Sequence, residues 1–406
     1  VLPFLTIQCT GIGGVIKTRA EDFLVEELPL YKPSGQGTHT YILIEKKEIS
    51  TMDALAAIAR ALGIRRQDIG YAGQKDSRAV ARQWISVEHI KVEKLQGLDI
   101  PKVKMLEFAR HGNKLKMGHL AGNRFVVRLR KIEMPISQAQ KTAKEVFEIL
   151  SKKGAPNYFG PQRFGNRGDS HLLGEAIVKG KTQELIDLLL GHPDENELAG
   201  LCEARRLYEK GDYQGAADKW PYSFADQRRA LKTLIETGGN KRKAYNVVDK
   251  HLKKFFVSAY QSELFNQVLA ARMPEIDKLL TGDMAYKHIN GAMFRVEDAA
   301  VEQPRCDAFE ISPTGPLPGG RMAELTGPAG EIENAVLAKA HLNDRDMSQL
   351  GNYARGGRRP LRFAPRNCNV ESRKDDLGEY LELKFDLDSG SYATTLLREI
   401  SKTEII

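Results

Sequence analysis

Strand-like alternation fills the first 130 residues of this chain, gives way to helical periodicity after about Asn157, and returns at Tyr380–Leu387. The simplest architecture is therefore a discontinuous domain, roughly 1–156 plus 360–406, interrupted by an insertion over 157–359. At 406 residues, two domains are also what the length calls for.

In the first part, Gly14–Thr18, Phe23–Leu28 and Thr40–Glu45 read as extended, the last through Tyr41-Ile42-Leu43-Ile44. A helix follows: Met52, Leu55, Ala59 and Leu62 recur at helical spacing, Ser50 caps it, Asp53 suits its first turn and Gly63 stops it. Ala81–Glu88 places Trp84 and Ser86 on one face and Ile85 and Val87 on the other. Arg124–Arg130 alternates likewise, with Phe125, Val127 and Leu129 opposite Arg124, Arg128 and Arg130. Strands and helices mixed with short connections indicate an α/β or α+β domain. In the insertion, Asp169–Lys179, Thr182–Leu190, Ala225–Glu236 and Asn246–Arg272 read as helices, and Thr281–Leu325 as short strands and turns.

The charge balance points to a polyanion: 61 Lys+Arg against 53 Asp+Glu gives +8, and basic side chains displace the counterions condensed on phosphate. Cys9, Cys202, Cys306 and Cys368 lie far apart with no C-x-x-C pair, which excludes the usual zinc-ribbon spacing and suits reduced thiols in a cytoplasmic protein. No run of about 18 apolar residues exists, so no membrane span is expected. The N-terminal residues lack a basic region followed by a long apolar stretch, so no signal peptide is expected either.

The densest chemistry lies in Gly70-Tyr71-Ala72-Gly73-Gln74-Lys75-Asp76-Ser77-Arg78, which runs on to Trp84. Its glycines permit a tight backbone path, and Asp76 sits between Lys75 and Arg78, cations that favour the carboxylate form. The same pattern also describes a turn aspartate among surface bases. Gly70–Trp84 resembles the signature of the TruD family of tRNA pseudouridine synthases, in which the Asp of a G-x-K-D segment is catalytic.

Five further blocks fall in the family's order. Gly14-Val15-Ile16-Lys17 with Glu21-Asp22-Phe23-Leu24-Val25-Glu26 is similar to its N-terminal motif, and Gly122-Asn123-Arg124-Phe125 to its N-R-F segment. Asn157-Tyr158-Phe159-Gly160-Pro161-Gln162-Arg163-Phe164-Gly165 resembles the start of its inserted domain. Ser258–Asn266 matches another block, and Gly390-Ser391-Tyr392-Ala393-Thr394 with Leu396-Leu397-Arg398-Glu399 the C-terminal one. Asp388 departs from the pattern, standing where a proline is expected.

The resemblance implies an α+β fold. A pseudouridine-synthase-type catalytic domain with a mixed, largely antiparallel sheet would carry a large inserted α/β domain that shapes the cleft and grips the RNA. It implies tRNA as partner and uridine 13 of the D arm as target. Asp76 is then the catalytic carboxylate and Lys17 its basic partner, although Lys17 by pattern alone is an exposed strand lysine. Phe23, Asn123 and Tyr392 would lie at the uridine site, with Tyr71 and Phe125 as further stacking candidates. By alternation alone, Phe23 and Phe125 are core residues.

Pseudouridine formation loses no group and changes no oxidation state, so it requires no cofactor, and the sequence offers no G-x-G-x-x-G, P-loop or H-E-x-x-H motif. The carboxylate could attack C1′ or remove a C2′ proton, and sequence leaves both open. Lys75, Arg78, Arg163, Arg358 and Arg359 are candidate RNA contacts, the last two in a segment, Gly356–Arg362, that equally reads as a solvated linker. The stripe Phe255, Phe256, Tyr260, Leu264, Phe265 and Val268 reads as core. Two rivals remain: an inactive RNA-binding protein of the same fold, and a nucleoside or glycoside hydrolase with Glu26, Glu27 or Glu45 as second carboxylate.

Overall fold

The computed structural model describes residues 2–195 and 197–403. Contacts divide the chain into two compact units, one formed by Phe4–Pro156 with the segment from Phe363 onward, the other built on Asn157–Arg362.

The first unit is organised by one sheet. Its strands are β1 (Gly13–Val15), β2 (Phe23–Pro29), β3 (His39–Lys47), β4 (Gly70–Tyr71), β5 (Val80–Glu88), β6 (Val103–His111), β7 (Leu120–Ile132), β8 (Arg366–Asp375) and β9 (Gly378–Asp388). The order is β8-β9-β7-β2-β5-β3-β6, with β1 added on β7 and β4 on β5. Pairing is antiparallel except between β2 and β5, which run parallel with Val25 opposite Ala81. The C-terminal hairpin enters through β9, which sets Phe385 against Phe125 and Leu383 against Val127.

Period-two alternation explains the two faces of this sheet. On one face Phe23, Val25, Phe125, Val127, Leu383 and Phe385 are buried. The helix Ile136–Lys153 covers part of it with Ala139, Ala143, Val146, Phe147 and Leu150, which recur at helical spacing. Its Phe147 ring lies 5.9 Å from Phe385. Farther along the same face, the helix Thr51–Leu62 packs Leu55, Ile58 and Leu62 on Ile42, Ile44, Ile85 and Val87. Each such side chain contributes about 1.5–3 kcal/mol when fully buried. Ser50 accepts from the Asp53 N–H at the start of that helix, and Gly63 ends it in the left-handed conformation.

The opposite face carries charge. Arg124 holds Asp386 through two hydrogen bonds, and Arg130 bridges Asp22 and Asp375. Hydrogen bonding from Arg130 keeps the Asp375 carboxyl far below the usual carboxylate range. Tyr380 lies under the guanidinium groups of Arg128 and Arg130, at 5.2 and 4.8 Å. The arginines that alternation sets opposite Phe125 thus form an ion-pair ladder.

The second unit centres on the helix Lys250–Ala271, whose Phe256, Tyr260, Leu264, Phe265 and Val268 are buried while Phe255 is partly exposed. Beside it, Met284–Lys287 pairs with Met293–Arg295 and with Ile311–Leu317, which in turn pairs with Gly357–Pro360, all antiparallel.

Several local expectations change. The segment Gly14–Thr18 is not one strand: β1 ends at Val15, and Lys17 takes a left-handed backbone with φ 58°. Asn246–Arg272 is two helices, Lys241–Val247 and Lys250–Ala271, because Asp249 breaks the run and caps the second by accepting from the His251 and Leu252 N–H groups. Thr281–Leu325 includes a helix, Ala299–Asp307. Gly356–Arg362 is not a solvated linker, since Gly357–Pro360 is a paired strand.

Gly122 is fixed by close approach: a Cβ there would lie 2.1 Å from the Leu387 carbonyl oxygen of the neighbouring strand. Gly122→Ala is expected to cost about 1–3 kcal/mol of stability by overpacking, read as a lower midpoint in chemical denaturation. An unchanged midpoint would show that β9 yields freely at this point.

Candidate active site

The site forms where three segments of the first unit meet. The turn after β1 carries Lys17, β2 begins at Phe23, and the loop between β4 and β5 carries Asp76. The left-handed backbone at Lys17 costs a non-glycine residue roughly 1–2 kcal/mol and turns its side chain onto Asp76 Oδ2, with which it forms a hydrogen-bonded ion pair. The same ammonium lies 4.6 Å from the centre of the Phe23 ring, a favourable cation–π distance.

Asp76 is partly withdrawn from solvent, with 27% of its side chain exposed. Burial opposes its ionisation more than any other single influence. The Lys17 hydrogen bond, the Arg78 N–H donated to Oδ1 at 2.9 Å, and the charges of Lys17 and Lys46 together outweigh it and hold the carboxyl below its ordinary pKa. Asp76 is thus a carboxylate at neutral pH, poised to act as nucleophile or base.

The loop bearing Asp76 is anchored repeatedly. Gln83 Nε2 donates to the Gly73 carbonyl at 3.4 Å, and the Lys75 N–H donates to Thr51 Oγ1 at 2.9 Å. Lys75 Nζ turns inward to Glu27 at 2.7 Å, both side chains being almost fully buried. Burial raises the Glu27 pKa, and the Lys75 charge and hydrogen bond oppose that rise. Glu27 also accepts from the Trp84 N–H. Lys46 Nζ donates to the Asp76 carbonyl at 2.6 Å.

On β7, Asn123 stands opposite Glu27 and Phe125 opposite Val25. The Asn123 Oδ1 atom is buried without a protein hydrogen-bond partner, which a native interior rarely tolerates without a reason. Phe23 meets Phe125 edge-on at 5.9 Å, and Phe125 stacks on Phe385 at 5.3 Å. Tyr392 is the residue before the helix Ala393–Ser401, where its carbonyl accepts from Thr395 Oγ1. Asp388, at the end of β9, pairs with Arg366.

Other candidates lie elsewhere or are occupied. Tyr71 is half-buried and packs against the apolar cluster under the helix Thr51–Leu62. Lys75 is no surface contact for RNA, because its ammonium is sealed against Glu27. Arg358 is likewise buried, held by Glu333, Thr314 and the Ala323 carbonyl. Arg78 is exposed.

In the second unit, Arg359 lies 4.5 Å and Arg163 5.7 Å from the Phe159 ring centre. Arg163 is steadied by the Ser258 and Ser262 hydroxyls. Among the alternative carboxylates, Glu27 is paired with Lys75 and Glu45 with Arg82, while Glu26 alternates with Val25 and Glu27 onto the opposite face of the sheet. Sequence reasoning missed Lys46, Thr51 and Gln83 as anchors. Lys46 had a legible signal, since it continues the Ile42, Ile44 alternation as a charge on an apolar face.

Comparison with known proteins gives a consistent result. The family model for tRNA pseudouridine synthase D (TruD) matches residues 2–400. A tRNA pseudouridine synthase D from Geobacter sp. (strain M21) is 41% identical over 402 residues, covering 99% of each chain. Its counterpart from Geobacter sulfurreducens is 41% identical over 400 residues, covering 98% of this chain and 96% of its own. A crystal structure assigned to tRNA pseudouridine synthase D from Methanosarcina mazei superposes with a TM-score of 0.87 at 26% identity, covering 100% of this chain and 97% of the other.

Breaking the buried Glu27–Lys75 pair should be expensive. Lys75→Met leaves a carboxylate buried without its cation, and a loss of about 3–5 kcal/mol is expected. The double variant with Glu27→Gln should recover part of it. Chemical denaturation of the unaltered protein, the two single variants and the double variant checks this, and additive losses would contradict the pairing.

Proposed function

The chain belongs to the tRNA pseudouridine synthase D family, and we propose that it isomerises uridine 13 in the D arm of tRNA, with Asp76 as the reacting carboxylate. The observation that carries this reading is the Lys17–Asp76 ion pair, which keeps a partly desolvated carboxylate ionised.

The reaction breaks the bond from N1 of uracil to C1′, turns the base, and forms a bond from C5 to C1′. The proton displaced from C5 is balanced by one gained at N1, so nothing enters or leaves overall. In one route Asp76 attacks C1′ as cleavage gives it oxocarbenium character, and the ester formed is expelled when C5 bonds to C1′. In the other it removes the C2′ proton to give a glycal, and returns it as C5 bonds. Both need an ionised, oriented carboxylate, which Lys17 and the Arg78 N–H provide.

The uridine must leave its stack to reach Asp76, at a cost of a few kcal/mol. Phe23 offers a ring beside the carboxylate, and Phe125 and Phe385 brace it from behind. Asn123 Oδ1 is suited to accept the uracil N3–H, which would satisfy its buried lone pairs. Tyr392, at the start of its helix, is assigned to the same uridine site on the strength of the family motif. Arg78, Arg163 and Arg359 are assigned to the RNA, for phosphate contact or stacking. A tRNA substrate and four free cysteines suit the cytoplasm, and no described helix is long and apolar enough to cross a membrane.

Unmodified tRNA transcript incubated with the protein should give a carbodiimide-dependent primer-extension stop at position 13. Asp76→Asn should bind the same tRNA and give no stop; binding without modification by the unaltered protein would favour an inactive RNA-binding module. Lys17→Met removes the cation that lowers the Asp76 pKa, so the acid limb of the kcat profile should move to higher pH. A limb that stays in place would separate Lys17 from the ionisation of Asp76.

A further inference from the structure

We propose that Lys46 is a positioning residue for this isomerisation: its buried ammonium fixes the main chain of Asp76 and places a second positive charge behind the carboxylate. The inference rests on Asp76 being the reacting carboxylate.

Lys46 lies on β3 and is fully buried. Its Nζ donates to the Ile49 carbonyl at 2.7 Å and to the Asp76 carbonyl at 2.6 Å. Among the described residues no carboxylate lies within ion-pair distance of it, and both of these acceptors are neutral carbonyl oxygens. Its backbone neighbours across the sheet, Ala81 on β5 and Val103 on β6, carry no charge. The helix Thr51–Leu62 is preceded by Ile49, which presents only its carbonyl. The charges that act on Lys46 are those of Asp76 and Lys75, from the loop above it.

A buried cation held only by neutral acceptors is costly, and an apolar side chain would continue the alternation of Ile42 and Ile44 at lower cost. Burial lowers the Lys46 pKa to about 8, against the opposing pull of the Asp76 carboxylate. In return, the Lys46 charge is among the influences that keep Asp76 ionised. The clamp on the Asp76 carbonyl also fixes the direction of its Cα–Cβ bond. Gln83, Thr51 and Glu27 anchor the loop before Asp76, whereas Lys46 grips Asp76 itself.

Lys46→Met removes both clamp and charge, and Lys46→Gln keeps a donor without the charge. For each, kcat and KM for tRNA are measured across pH, alongside thermal unfolding. Lys46→Met should lower kcat by about 10- to 100-fold through misplacement of the carboxylate, with KM within about two-fold. In both variants the acid limb of kcat should move to higher pH, because a cation that lowers the Asp76 pKa is gone. A merely structural lysine would lower the unfolding temperature and leave the limb in place, and that result overturns the proposal.

Should neither variant fold, the coupling is read with the native lysine in place, by titrating ¹³Cε-labelled Lys46 by NMR in the unaltered protein and in Asp76→Asn. The Lys46 midpoint should fall when its anionic neighbour is neutralised, and identical midpoints overturn the proposal. Full activity of Asp76→Asn would instead refute the underlying reading. An inert Asp76→Asn beside a Lys46→Met with unaltered kcat and acid limb refutes only the role of Lys46.

Discussion

A carboxyl drawn out of water drifts toward its neutral acid, and a neutral acid at Asp76 could neither attack C1′ nor accept a proton. The ion pair with Lys17 reverses that drift. Much of the nearby architecture serves it. The backbone at Lys17 accepts a left-handed conformation to aim the ammonium, and the Arg78 N–H supplies a further donor. Phe23 supports the same ammonium with its ring. On the proposed mechanism, such pre-set charge would act strongly because the site is partly desolvated, leaving little reorganisation for the moment of reaction.

The sheet supplies the rigidity that this arrangement needs. Phe125 is gripped between Phe23 and Phe385, the latter on a strand more than 250 residues away in sequence. The returning hairpin therefore helps to set the ring beside Lys17. On the opposite face, Arg130 ties Asp22, next to Phe23, to Asp375 at the end of β8. The Glu27–Lys75 pair joins β2 to the loop of Asp76 from within. Burying that pair has little intrinsic value for stability; its value here lies in where it holds the loop.

What sequence disclosed followed from local rules. Alternation located β2, β3, β5 and β7, and the Ser50 and Gly63 signals located the helix Thr51–Leu62 at both ends. The α+β class and the family were legible because six motif blocks run in order along the chain. What escaped depends on partners remote in sequence. Lys75 reads as a surface base until Glu27 is seen opposite it, as does Arg358 until Glu333 is. The helix Ile136–Lys153 hides because small Ala139 and Ala143 form part of its buried face. The left-handed turn at Lys17 is invisible because lysine carries no signal for that conformation.

The most direct test is a crystal structure of the protein with a D-arm RNA carrying 5-fluorouridine at position 13. The altered base is expected out of its stack, with its ribose against the Asp76 carboxylate, its ring beside Phe23, and its N3–H on Asn123 Oδ1. A base seated elsewhere, with Asp76 facing only Lys17 and solvent, would contradict it.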